Sequence, residues 1–203
     1  MDAKKKSLVA TEQLREQVQA QRREWTETVM PTTEPENLVF LDEAGSNVGM
    51  TPSHGYAPRG ERVVDDAPKS RGTNVSILSA MTWSGPLGAR SFEGAVNGPR
   101  FLHWVRKVLA PKLWEGALVV MDNVRFHKVA GVQEALQKVG ARAVYLPPYS
   151  PDLNPIEMMW SKLKTLLRQA KARTREALRA AIRSALRKIT AMDAAAWFVH
   201  DGY

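Results

Sequence analysis

The stretch LVFLDEAG, residues 38–45, runs from four apolar residues directly into Asp42. A compact apolar run of this kind predicts a buried β-strand, which we place at residues 37–42. A second run, ALVVM at residues 117–121, leads into Asp122 in the same way. Each strand would therefore bring a carboxylate to its carboxyl-terminal end, where the two acids can share one edge of the sheet.

A third acid, Glu157, ends the Pro-rich segment LPPYSPDLNPIE at residues 146–157. Asn154, Pro155 and Glu157 fit the N-cap, N1 and N3 positions of a helix, so Glu157 could simply be a capping residue. The rigid turn before it also fixes where the carboxylate points, which a metal ligand requires. Three carboxylates that converge on one point repel each other unless a hard cation neutralises them. Together the three acids predict a divalent-metal site.

Taken singly, the first two acids also have ordinary explanations. Asp42 is followed by Glu43, and the pair could be a charged strand end that meets solvent. Asp122 and Asn123 could form a turn, because both side chains hydrogen-bond to nearby backbone. The prediction of a site therefore depends on all three acids together, including the interval of 34 residues between Asp122 and Glu157.

The other segments alternate between strand-like and helix-like patterns. Strands are expected at residues 73–83 and 87–96, around a Ser84-Gly85-Pro86 turn, and at residues 143–146. Helical periodicity is found at residues 100–109, 129–139 and from 154 onward, with breaks near 171–174 and 190–193. This order predicts an α/β fold, a mixed β-sheet flanked by α-helices, and it is the element order of ribonuclease-H-like nucleases.

Residues 1–30 are interpreted as a polar helix with a thin apolar stripe made of Leu14, Val18, Trp25 and Val29. Pro31 and Pro35 should end this helix and form a hinge. We therefore expect an amino-terminal helical extension over residues 1–35 and one main domain over residues 36–203.

The composition is that of a globular protein with an excess of positive charge. Hydrophobic residues make up 44% of the chain and the net charge is +8. No apolar run approaches the roughly 18 residues that a membrane span needs, so no membrane partner is expected. The first residues contain lysines without a following hydrophobic segment, which excludes a secretory signal. The absence of cysteine fits a reducing cytoplasm and rules out thiolate metal sites.

The positive charge is concentrated between residues 161 and 190, which hold ten basic residues and one acid. In the helix that follows residue 174, arginines recur every fourth residue on one face, opposite an apolar stripe. A solvated surface helix is one explanation. With almost no acid available for pairs within the helix, an anionic partner such as DNA backbone is the preferred explanation. The predicted contacts are Lys162, Lys164, Arg168, Arg175, Arg179, Arg183 and Arg187.

Several motifs resemble the catalytic domain of mariner-like bacterial insertion-sequence transposases of the DDE superfamily. They are FLDEAGSNVGMT (residues 40–51), APRGERV (57–63), VVMDN (119–123) with His127 nearby, and YLPPYSPDLNPIEMMWSKLK (145–164). The 34-residue interval is one of the spacings used in that group. The resemblance implies a metal-dependent DNA endonuclease and transposase that performs strand cleavage and strand transfer. Asp42, Asp122 and Glu157 would hold two Mg²⁺ ions, for which Mn²⁺ could substitute.

Other positions receive weaker predictions. Asn123 would either orient a metal-bound water or serve as a turn residue, and His127 would either lie near the phosphate or be a partly buried surface histidine. Asn154 is a candidate to support the metal site, with a helix cap as the alternative. In relatives the loop that holds Arg59 and Arg62 lies near the active site, so both arginines could meet DNA.

The resemblance also implies partners and a location. They are double-stranded DNA, as element ends and as a target that is typically a TA dinucleotide, a homodimer on DNA, and the nucleoid in a bacterial cytoplasm. The helix-turn-helix portion that recognises element ends is expected to be missing from this chain, as in a split-frame product, a remnant or a truncated form. The alternatives are a catalytically silent DNA-binding or regulatory remnant and a ribonuclease-H-like nuclease.

Overall fold

A mixed sheet forms the centre of the molecule in the computed structural model, which describes residues 10–203. Its strands are β1 (Leu38–Ser46), β2 (Val75–Thr82), β3 (Gly85–Glu93), β4 (Leu118–Met121) and β5 (Arg142–Tyr145). In the order β3-β2-β1-β4-β5, the hairpin strands β2 and β3 join β1 in antiparallel fashion. Strands β4 and β5 continue the sheet in parallel with β1. The predicted mixed sheet is confirmed.

Helices of the described part cover both faces of this sheet. They are α1 (Glu16–Glu24), α2 (Gly98–Trp104), α3 (Val132–Gln137), α4 (Ile156–Ala170), α5 (Arg175–Arg187) and α6 (Ala191–His200). Helix α1 continues as a π turn over Trp25–Val29, and α2 does so over Val105–Leu109. The predicted break after α4 is confirmed, because Lys171 adopts a left-handed conformation there and the Thr174 side chain caps α5.

The register of β1 explains why its acid lies at a functional edge. Strand β1 extends beyond the predicted end at Asp42 and remains paired with β2 as far as Ser46. Its parallel pairing with β4 stops earlier, at Phe40 opposite Val120. Asp42 therefore lies just past the end of the parallel pairing, on the side where Asp122 follows the last residue of β4.

Three details of the sequence prediction are wrong. The hairpin turn consists of Trp83 and Ser84, because Gly85 already pairs with Thr82 as part of β3. Helix α3 begins at Val132, since Gly131 has a φ of 90° that no right-handed helix contains. In the amino-terminal segment Leu14 is 66% exposed, whereas Val18 and Trp25 are buried.

The alternating side chains of the strands build one apolar core on each face. Phe40, Ile77 and Val120 face α4, α5 and α6, and Trp25 joins this core. Leu41, Leu78 and Val119 face α2 and α3 on the other side. Because both faces are covered, the strand ends are the part of the sheet left open to a ligand.

Residues 11–14 form a 3-10 turn and residues 16–32 are helical, with Arg15 in an extended conformation between them, and the segment packs on the first core through Trp25. Residues 1–9 of the predicted helix lie outside the described residues, and the boundary at residue 35 stays a prediction. Within residues 10–203, no helix is both long enough and apolar enough to cross a bilayer.

Candidate active-site cleft

Asp42, Asp122 and Glu157 line one cleft of about 450 Å³. Strand β1 supplies the first acid, the residue after β4 supplies the second and the first turn of α4 supplies the third. The opposite wall is the Pro-rich segment of residues 146–151. The structure therefore brings the three predicted acids together, although 114 residues separate the first from the last.

Asp42 is the most strongly perturbed of the three carboxyl groups. Burial raises its pKa to about 8, and the charges of Glu157, Glu43 and Asp122 act in the same direction against a lowering by the Glu43 backbone N–H. The indole Nε1 of Trp160 donates a hydrogen bond of 3.0 Å to Oδ2 of Asp42. This donor holds one carboxylate oxygen of Asp42 in place.

Asp122 has a more polar setting. Burial acts to raise its pKa, but the His127 ring, the Val124 backbone N–H and Lys128 outweigh it and hold the pKa below its usual range. The Val124 N–H donates to Oδ1 over 3.1 Å, so the predicted turn at Asp122 is present as well. A carboxylate can therefore form the turn and still present its other oxygen to the cleft.

Glu157 does not cap helix α4. The helix begins at Ile156, its N-cap position is Pro155, and neither Asn154 nor Glu157 makes a side-chain cap. Within residues 10–203 the Glu157 carboxylate receives no hydrogen bond and forms no ion pair. Burial raises its pKa, and Asp122 adds to this increase while Lys164 opposes it.

The donor set suits a hard divalent cation. All three acids offer carboxylate oxygens, which Mg²⁺ and Mn²⁺ prefer, and mutual repulsion contributes to the raised pKa values of Asp42 and Glu157. The side chains do not form a closed cage. Across residues 10–203, no group of three or more His, Asp or Glu side chains is close enough together to enclose an ion.

His127 is fully buried, so its interpretation as a partly buried surface histidine is wrong. The rings of Phe101 and Phe126 lie 4.6 Å from its ring. Its Nδ1 lies 2.7 Å from Oδ1 of Asp122 and its Nε2 lies 3.7 Å from Oε2 of Glu43. Neither nitrogen makes a well-directed hydrogen bond.

The two predicted asparagines differ in how their side chains are used. The Asn123 amide donates to the carbonyl of Leu146 over 2.5 Å, and its Oδ1 accepts from Lys128 over 2.7 Å. Asn123 therefore joins the ends of β4 and β5. The Asn154 Oδ1 is buried without a hydrogen-bond partner among the described residues, in a residue that lines the cleft. Their roles at a metal site stay predictions.

The predicted DNA contacts fall into two groups. Lys162 pairs with Asp193 at 2.6 Å, and Arg175 and Arg179 pair with Glu93 at 3.5 and 2.8 Å. The expectation that the basic helices lack acidic partners is therefore wrong for these three residues, because the acids come from distant parts of the chain. The remaining residues have no ion pair within residues 10–203; they are Arg59, Arg62, Lys164, Arg168, Arg183 and Arg187.

Sequence reasoning missed three residues around the cleft. Trp160 contacts Asp42, and Gln13 and Arg22 bind the Pro-rich wall from the amino-terminal segment. Trp160 follows Glu157 by three residues, which places both on one helix face, and that spacing was a usable signal. Nothing local in the sequence marks Gln13 or Arg22, because their partners are more than 100 residues away.

Comparison with protein families identifies residues 37–179 with the family described as DDE superfamily endonuclease. The match covers all three acids and more than half of the chain. No curated protein sequence matches the chain.

Similar solved structures come from the Mos1 mariner transposase. A pre-cleavage Mos1 transpososome has a TM-score of 0.78 at 15% identity, and the Mos1 strand transfer complex has 0.74 at 17%. Both alignments cover 98% of this chain, which spans 63% and 62% of the respective Mos1 chains. The Mos1 catalytic domain alone gives 0.67 at 14%, covering 92% of this chain and 89% of that one. The ribonuclease-H-like fold is confirmed.

Proposed function

Since this chain belongs to the DDE superfamily endonucleases, we propose that it cleaves DNA and transfers the cut strand at the cleft of Asp42, Asp122 and Glu157. One observation supports this most directly: the three carboxylates share one cleft, and burial raises the pKa of Asp42 and of Glu157 while the charge of Asp122 adds to both increases. Within residues 10–203, neither Asp42 nor Glu157 forms an ion pair with a basic residue. In a folded protein, such uncompensated repulsion favours a site for a cation.

The three carboxylates would hold two Mg²⁺ ions, with Mn²⁺ able to substitute. When bound, the ions would activate the attacking oxygen and stabilise the leaving oxygen of a phosphodiester. Trp160 orients Asp42, and the buried His127 keeps Asp122 ionised. The reaction needs no nucleophilic side chain, because either water or a DNA 3′-hydroxyl can attack the phosphorus directly.

The proposed partner is double-stranded DNA, as element ends and as a target with a TA dinucleotide. Similar structures include a Mos1 paired-end complex with a left transposon end and a Mos1 strand transfer complex. We also propose that the protein acts on DNA as a homodimer. A helix-turn-helix portion outside the catalytic fold would select the element ends, and the protein would act at the nucleoid of a bacterial cytoplasm.

The test is a strand-transfer assay with the full chain and Mg²⁺ or Mn²⁺. A labelled duplex with a free 3′-hydroxyl is supplied as donor, and a supercoiled plasmid rich in TA sites is the target. We expect metal-dependent nicking and joining by the wild type, loss of both in Asp122→Asn, and wild-type behaviour in Asp66→Asn, which changes an exposed loop carboxylate.

Two outcomes would replace the proposal. DNA binding without any metal-dependent cleavage, even with an end-binding portion supplied in trans, would indicate a silent remnant. Metal-dependent cleavage of the RNA strand of a hybrid in preference to DNA would indicate a ribonuclease-H-like nuclease. Activity unchanged by Asp122→Asn would refute the assignment of the acids.

A further inference from the structure

The segment before the family domain is attached directly to the wall of the cleft. We call residues 10–29 the amino-terminal arm, which comprises α1 with the turns on either side of it. The family match begins at residue 37, so the arm lies outside it. Its polar side chains reach residues 147–153, which we call the cleft wall because residues 147–151 of this stretch line the cleft.

Gln13 makes the first attachment. It is buried although it carries an amide, and its Nε2 donates to the Tyr149 carbonyl at 2.9 Å and to Oδ1 of Asp152 at 3.2 Å. The Gln19 amide in turn donates to the Gln13 carbonyl at 2.7 Å. A buried amide without hydrogen-bond partners would cost folding free energy. The burial of Gln13 therefore depends on its hydrogen bonds to the wall.

Arg22 makes the second attachment. Its guanidinium binds both oxygens of Asp152, NH1 to Oδ1 at 3.0 Å and NH2 to Oδ2 at 2.6 Å. Two parallel charged hydrogen bonds fix direction as well as distance. Burial acts to raise the pKa of Asp152, but Arg22 and Gln13 outweigh it and hold the pKa below its usual range.

Trp25 makes the third attachment, through the carboxyl terminus. Its Nε1 donates to the hydroxyl of Tyr203 at 3.0 Å, and that hydroxyl donates to the Leu153 carbonyl at 2.7 Å. The arm thus contacts the wall directly at Tyr149 and Asp152, and through Tyr203 at Leu153.

The wall needs external support at Tyr149. This residue has a φ of 56°, a left-handed conformation that is uncommon for a non-glycine residue. The chain then runs through Asn154 to Glu157 at the start of α4, so the wall leads directly into the turn that carries this carboxylate.

We propose that the amino-terminal arm is a positioning element of the active site, which holds the cleft wall and through it Glu157. What the wall helps to bind rests on the function proposed above, whereas the docking of the arm can be measured without it. Arg22 and Gln13 are positioning residues, because they contact the wall and none of the three acids of the cleft.

Hydrogen exchange of the full chain tests the arm directly. The backbone N–H groups of Leu153 and Asn154 donate hydrogen bonds to carbonyls of the wall, and that of Glu157 donates to the Asn154 carbonyl just after it. Their exchange rates therefore report opening of the wall. Arg22→Gln should speed their exchange about tenfold, as the loss of a charged hydrogen bond implies. The matched control is Arg23→Gln, which removes the same charge from an exposed neighbour on α1 and should leave the exchange unchanged.

A manganese titration of the same proteins gives the functional readout. Arg22→Gln should weaken Mn²⁺ binding several-fold relative to Arg23→Gln, and Gln13→Ala should do the same without changing charge. If Arg22→Gln fails to fold, the experiment uses Asp152→Asn instead, which weakens the same ion pair from the side of the wall.

The two proposals fail differently. The positioning role of the arm would be overturned if the three wall amides exchanged no faster in Arg22→Gln than in Arg23→Gln. It would also be overturned if Arg22→Gln accelerated exchange in strands β1 and β4 as much as in the wall. Wild-type protein that binds no Mn²⁺ while its wall amides still respond to Arg22→Gln would instead overturn the metal site and leave the arm's role supported.

Discussion

The acidic cleft and the basic carboxyl-terminal helices both concentrate charges of one sign, and the structure treats them differently. In the helices, Glu93 and Asp193 pair with Arg175, Arg179 and Lys162. In the cleft, Asp42 and Glu157 have no basic partner among the described residues, and burial and mutual repulsion raise their pKa values.

This difference separates structural charges from functional ones. Paired basic residues are satisfied within the fold, so they have less to gain from a new anion. Under the proposed function, the unpaired acids of the cleft would destabilise the folded chain until a cation binds, and a protein retains such a cost where function requires it. The cleft is therefore better supported as a site than the helices are as a DNA surface.

The largest effect is expected for Glu157→Gln in the strand-transfer assay. Removing a ligand charge from a metal-dependent site should slow cleavage by roughly 10³-fold, since metal ions contribute several kcal/mol of charge stabilisation. Glu176→Gln, at an exposed position in the first turn of α5, is the control and should cleave like the wild type. Equal rates for the two variants would show that the cleft acids are as dispensable as a surface acid.

Asp42→Asn should stabilise the metal-free protein, on the order of 2 kcal/mol at pH 8. The pKa of Asp42 is raised to about 8 in the folded chain, so folding favours the protonated form. Wild-type stability should therefore decrease as pH rises from about 4 to 8, and the gain of the variant should grow over that window and level off above it.

Urea unfolding in EDTA at several pH values measures this effect, with Asp66→Asn as the control. Added Mn²⁺ should stabilise the wild type and leave Asp42→Asn nearly unchanged. If Asp42→Asn were less stable than the wild type at pH 8, the ionised Asp42 carboxylate would not destabilise the folded chain and the prediction would be wrong.

Trp160→Phe keeps an aromatic ring in the core and removes the donor to Asp42. The expected result is a loss of about 1 kcal/mol in unfolding free energy and a roughly tenfold slower cleavage. Trp104→Phe is a close match, because Trp104 is also fully buried and its Nε1 donates to the Gly88 carbonyl on the other sheet face. Trp104→Phe should lose a similar unfolding free energy while its cleavage rate stays that of the wild type. Slow cleavage in both variants would show that Trp160 acts only through packing.

The smallest effects are expected for double substitutions in α5. Replacing Arg183 and Arg187 by Gln should weaken DNA binding a few-fold and reduce the salt dependence by about two released ions. Replacing Arg175 and Arg179 by Gln should have less effect, because Glu93 already pairs with both. Fluorescence anisotropy over a salt series measures both. Equal losses would mean that DNA displaces Glu93 from its partners.

The sequence predicted the sheet and the residues of the cleft for local physical reasons. Short apolar runs indicate buried strands wherever both faces are covered, which is the case for residues 38–41 and 118–121. It could not place the ends of β1 or the hairpin turn, because pairing with β2 and β3 determines where those strands stop. The capping interpretation of Glu157 failed for a similar reason: α4 begins at Ile156, after Pro155.

The amino-acid sequence by itself determined the strands, the amphipathic helices and the three acids, since periodicity and residue type act over a few neighbouring positions. Only the tertiary structure decided which charges remain unpaired. Glu93 lies 82 residues from Arg175, and Asp152 lies 130 residues from Arg22, so their pairing depends on how distant segments pack. For the same reason, the support that the amino-terminal arm gives the cleft wall became visible only in the folded chain.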